Sequence, residues 1–79
     1  MDKQTRPIST IAREISRTWK KVNYAAKPYL EAMYSLNSID DNYIYDNARD
    51  IILRFLGNAG SFRGEDARRI KAELREMLG

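Results

Sequence analysis

The sequence predicts an all-α fold, a compact antiparallel bundle of about four short helices. Three observations lead there. Apolar residues recur at spacings of three and four through four successive segments. No stretch alternates apolar and polar residues for long enough to make a strand. The connections are short, so consecutive helices are expected to pack antiparallel.

The first helix is expected from about Ser9 to Lys21, behind Pro7, with Ser9 or Thr10 accepting a first-turn amide. Ile8, Ile11, Ile15, Trp19 and Val22 form its apolar stripe, and Arg13, Arg17, Lys20 and Lys21 fall off it as a basic outer face. Asn23 caps a second helix running to about Leu36, in which Pro28 imposes either a bend or the true start. Leu30, Met33 and Leu36 line it, with Ala26 and Tyr29 beside them, and Asn37 ends it. Ser38 to Asn42 reads as a turn or capping segment, with Ser38 followed three places later by Asp41 approximating a capping box. The third helix, from about Tyr43 to Leu56, carries Ile44, Ala48, Ile51, Ile52, Phe55 and Leu56 on one broad face and is the candidate central helix. Gly57 is its expected left-handed terminator, opening the loop Gly57 to Ser61. The fourth helix runs from about Gly64 to Leu78, with Glu65 and Asp66 in its first turn and Ala67, Ile70, Leu74 and Met77 as its stripe. The expected centre of the core is Ile11, Ile15, Trp19, Leu30, Met33, Ile51, Ile52, Phe55, Ile70 and Leu74.

The 79 residues make a single helical domain over 1–79, with 1–7 expected as a flexible lead-in. Hydrophobic residues at 43% are too many for a disordered chain, and charged residues at 32% suit a solvated helical surface. With no cysteine and no histidine, disulfides, thiolate metal sites and the commonest general base are excluded. The first ten residues hold no apolar run, and no apolar stretch exceeds three residues, so neither a signal peptide nor a membrane contact is expected. The expected location is cytoplasmic. The net charge of +3 is segregated: residues 1–27 carry +5, residues 28–50 carry −4 and residues 51–79 carry +2. Basic ends around an acidic middle can attract an anion, neutralise one another on packing, or pair two copies as a homo-oligomer.

Catalytic patterns are absent. There is no nucleophile–base pair, phosphate-binding glycine loop or dinucleotide fingerprint, so no enzyme and no cofactor is expected. Asp40, Asp41, Asp46 and Asp50 lack the glycine and terminal glutamate of a calcium loop and read as a solvated acidic face. All five tyrosines lie between Tyr24 and Tyr45, more than rim packing needs. Ser61-Phe62-Arg63-Gly64-Glu65 leads into the fourth helix. Phe62 can staple that helix to the core, and Arg63 stands beside its free amides, but Glu65 and Asp66 oppose an anion there. Arg68, Arg69, Lys71 and Arg75 continue the basic surface, interrupted by acids.

Three segments carry a family resemblance: Trp19 to Met33 (WKKVNYAAKPYLEAM), Tyr45 to Arg49 (YDNAR) and Phe62 to Leu74 (FRGEDARRIKAEL). Together they resemble a group of small uncharacterised helical proteins encoded by phages and prophages of Gram-positive bacteria. Phe62 stands where that group is expected to carry tryptophan and keeps an aromatic anchor. The resemblance transfers no activity residue by residue. It implies a non-enzymatic accessory protein of the host cytoplasm, of the counter-defence class. Such a protein binds a host defence protein or sequesters a nucleotide immune signal. The alternative is a small nucleic-acid-binding or transcription-regulating phage protein. Tyrosine and arginine together suit both a protein hot spot and a base with its phosphate. The expected contact residues are Tyr24, Tyr29, Arg63 and Arg69, brought to one groove by the packing of the helices.

Overall fold

The computed structural model describes residues 6–79. Of the expected lead-in, residues 1–5 lie outside the described residues. Four helices, α1 (Ile8–Thr18), α2 (Lys27–Met33), α3 (Ala48–Gly57) and α4 (Glu65–Leu78), make up most of the fold. Between α2 and α3 a small antiparallel ribbon pairs β1 (Asn42–Tyr43) with β2 (Asp46–Asn47). The fold is therefore mostly helical with one short ribbon, and the expectation that no strand would form is corrected. α1 packs against α2 and α4, and α3 packs against the same two helices. The Cα envelope is 32 × 32 × 19 Å, thin enough for two helical layers.

The ten expected core residues are all buried, together with Ile8, Leu36 and Phe62. None of the described polar or charged residues is buried. Trp19 joins three parts of the core. Its ring stacks on Phe62 at 5.1 Å and meets Phe55 edge-on at 6.0 Å.

Element ends depart from the sequence reading where distant groups satisfy the backbone. Ser9 and Thr10 lie inside α1 and cap nothing. Instead the amides of Ile8 and Ser9 donate to the carbonyls of Asn37 and Leu36, at 3.0 and 2.8 Å. The start of α1 is thus closed by the chain that leaves α2. α1 stops at Thr18, and Trp19 turns extended, which aims its ring at Phe62 rather than continuing the helix to Lys21. Pro28 resolves as the second residue of α2, not as a bend. Past Met33 the chain tightens into three-residue turns, so Leu36 is buried but not helical.

Of the turn and the capping segment expected at Ser38 to Asn42, the turn forms, and Asp41 closes it. Its carboxylate accepts the amides of Asn37 and Ser38, at 2.7 and 3.1 Å, and these bonds hold it below the usual carboxylate range. The ribbon follows, with Ile44 and Tyr45 as its two-residue tip. α3 begins late, at Ala48, because Asn47 is its true cap and accepts the Asp50 amide at 2.8 Å. Ile44, expected on the core face of the third helix, is instead 74% exposed. Gly57 is the last residue of α3 and takes no positive φ; the Asn58 side chain closes the helix on the Arg54 carbonyl. The left-handed position falls at Gly64, which starts α4 with φ 110°.

Candidate functional site

The four expected contact residues do not share one groove. Tyr24 stands on the turn before α2 and is 90% exposed, beside a shallow groove of about 300 Å³ that it forms with Lys27, Pro28 and Glu31. Tyr29 is half-buried and packs against the core from α2. Arg63 lines a second groove along α4 with Arg68, Lys71 and Arg75. Arg69, on the same helix, does not line it and pairs with Glu14 and Asp66.

The other tyrosines divide the same way. Tyr43 rests against the core, and the Tyr34 hydroxyl bonds the Ser16 hydroxyl on α1. Tyr45 is 98% exposed at the ribbon tip. Beside it Ile44 has φ 56°, the positive value that two-residue hairpins require at their first loop position. A β-branched residue there is strained by about 1–3 kcal/mol. The tip therefore holds an apolar pair, Ile44 and Tyr45, away from the core. In the sequence Ile44 falls on the expected stripe of the third helix and Tyr45 among the clustered tyrosines, so the two do not stand out as a pair.

Arg69 belongs to an ionic cluster that ties α4 to α1. Arg6 makes a bidentate pair with Glu73, at 3.0 and 2.7 Å, and reaches Glu14 at 2.9 Å. The Glu14 carboxylate, only 16% exposed, takes Arg6 and Arg69 together. The hydrogen bond from Arg69, then that from Arg6, holds the Glu14 carboxyl below its ordinary value. A carboxyl with a lowered folded pKa stabilises the fold at pH values above its unfolded pKa of about 4.3. That contribution is lost as pH falls through the folded value. Denaturant midpoints should therefore drop between pH 6 and pH 3, and Glu14→Gln should flatten the drop. Equal pH dependence in both proteins would remove Glu14 as a source of acid sensitivity.

No three of the His, Cys, Asp or Glu side chains among the described residues approach closely enough to hold a metal. No described helix is long and apolar enough to cross a membrane. What the site offers is contact chemistry on two surfaces, an apolar tip and a basic groove. Comparison with protein-family models, with curated proteins and with solved structures returned no match.

Proposed function

We propose that this chain works by stoichiometric binding, as a phage accessory protein that occupies a protein of the host's defence. The observation that carries the reading is the ribbon tip, where Ile44 and Tyr45 are held outside the core on a strained turn. Strain kept at a position that contributes nothing to the core is a mark of a contact residue. A rigid tyrosine with an apolar neighbour is a common anchor of a protein hot spot. Tyr24 adds a second exposed ring. The three segments that resemble small phage and prophage proteins supply the counter-defence class. A nucleotide immune signal is the other target of that class, and a second reading, nucleic-acid binding, is favoured by the basic groove along α4.

Expression in a host that carries a defence system should raise the plating efficiency of a sensitive phage. The combined change Ile44→Ala and Tyr45→Ala should abolish that gain. Loss of a hot-spot anchor costs about 2 kcal/mol or more, which weakens the complex by at least about 30-fold. Thermal melting should not fall, because neither side chain is in the core and alanine at position 44 relieves part of the β-branched strain. Sedimentation of the purified chain with the defence protein would read the stoichiometry, including any self-association. Unchanged plating across a panel of defence systems would sink the counter-defence reading. Full protection by the double variant would move the contact away from the tip.

A further inference from the structure

The groove along α4 is lined by Arg63, Arg68, Lys71 and Arg75 above Phe62, encloses about 310 Å³, and has no acidic lining residue. We propose that it is a nucleic-acid backbone site, in which these four cations contact successive phosphates of a strand laid along α4 without reading base sequence. The inference is independent of the ribbon tip.

The first support is how α4 sorts its charges. Arg69 and Glu73 face the ionic cluster with α1 and are paired there. Among the described residues, no carboxylate pairs with Arg63, Arg68, Lys71 or Arg75. Glu65 and Asp66, in the first turn of the same helix, do not line the groove. Arg68, Lys71 and Arg75 follow one another at three and four residues, so they share a helix face. Like charges at that spacing destabilise a helix. Burial, then Arg75 and Arg63, push the Lys71 ammonium below its ordinary value. An unpaired row of crowded cations is relieved by a bound anion.

The second support is length. Seven residues of helix rise about 10.5 Å from Arg68 to Arg75. One strand of duplex advances about 3.4 Å per phosphate along its axis, so the row covers about three phosphate-to-phosphate steps of axial rise, and Arg63 extends it past the helix start. The third support separates backbone from base. Phe62 is 1% exposed and the Lys71 ammonium lies 5.8 Å over its ring, so the groove offers no open aromatic face for a base to stack on. Phosphate contacts fix position and carry no sequence information.

The test is fluorescence anisotropy of the full chain with a labelled duplex of about 20 base pairs, and with its single strand, between about 50 and 200 mM salt. Four phosphate contacts predict a log–log salt slope of about −3.6 on duplex and about −2.8 on single strand, with about 100-fold weaker duplex binding at the higher salt. Sequence changes in the duplex should leave affinity the same. The triple variant R68Q/K71Q/R75Q should lose about 2.7 of the duplex slope. Its thermal midpoint should change little, because the substitutions remove repulsion and no ion pair, which offsets loss of the Lys71 contact over the Phe62 ring. Arg69→Gln is the control for net charge: it also removes one cation from α4, but a paired one outside the groove, and should leave the slope unchanged. The proposal is overturned by absence of binding at the lower salt, or by a triple variant with the wild-type slope. It is overturned equally if Arg69→Gln lowers the slope as much as a groove cation does. Saturable binding of ATP or a cyclic dinucleotide, with no binding of either strand, would replace it with a small-nucleotide site.

Discussion

Phe55→Ala should cost about 3–5 kcal/mol of folding free energy, the range for emptying a buried aromatic position. Phe55 is fully buried in the last turn of α3, and its ring meets Trp19 edge-on. Trp19 stacks in turn on Phe62, so two ring contacts connect the end of α1, α3 and the approach to α4. Collapse around the cavity would have to move all three. A domain of this size starts with only about 5–15 kcal/mol of stability, toward the low end. Each kcal/mol shifts the melting midpoint by about 4–8 °C, so a fall of about 12 °C or more is expected. The chain has one tryptophan, so Trp19 fluorescence reports the unfolding directly. A loss below about 1 kcal/mol would show that Phe55 does not anchor the core.

The core was legible because burial follows side-chain spacing, which the sequence displays. The pattern held at two places where the helix did not and failed at a third, Ile44. Trp19 and Leu36 sit on the apolar stripes and are buried, yet both lie outside the helices they were expected to extend. Helix ends obey other physics. The amides at the start of α1 find their acceptors at Leu36 and Asn37, nearly thirty residues away, and no local motif can announce that. The ribbon was hidden for a similar reason. Each strand has two residues, and the tip is Ile44-Tyr45 instead of the glycine or asparagine that marks such turns. The one legible signal was Asn47, a strong capping type placed directly before α3.

The candidate site was legible as residue types and not as an arrangement. Five tyrosines close together in sequence suggested one surface. The ribbon and the half-buried face of α2 instead send Tyr24, Tyr29 and Tyr45 to different surroundings. Arg69 was expected as a contact residue, yet it is paired with Asp66 and with Glu14, the second supplied by α1. The same packing decides which cations stay unpaired. The spacing of Arg68, Lys71 and Arg75 was readable as a helix face, but their lack of carboxylate partners depends on where α1 docks.

The two glycines flanking the last loop should respond in opposite directions to alanine. Gly64 has φ 110° and ψ −177°, a region that essentially only glycine occupies. A Cβ there would meet no heavy atom within 4 Å, so the cost of Gly64→Ala is conformational and not steric. It should amount to about 1–3 kcal/mol. Gly57 is helical, without a positive φ, and a Cβ there also meets open space. Alanine at that position narrows the unfolded ensemble and suits the last turn of α3, so Gly57→Ala should stabilise by about 0.4–1 kcal/mol. The sequence reading, with Gly57 as a left-handed terminator, requires the reverse sign at that site. Urea denaturation of the two single variants separates the alternatives. Destabilisation by Gly57→Ala would restore the terminator and mean that α3 ends a residue sooner. A neutral Gly64→Ala would mean that α4 starts without the glycine-only turn, and the position of Arg63 beside the groove would have to be redrawn.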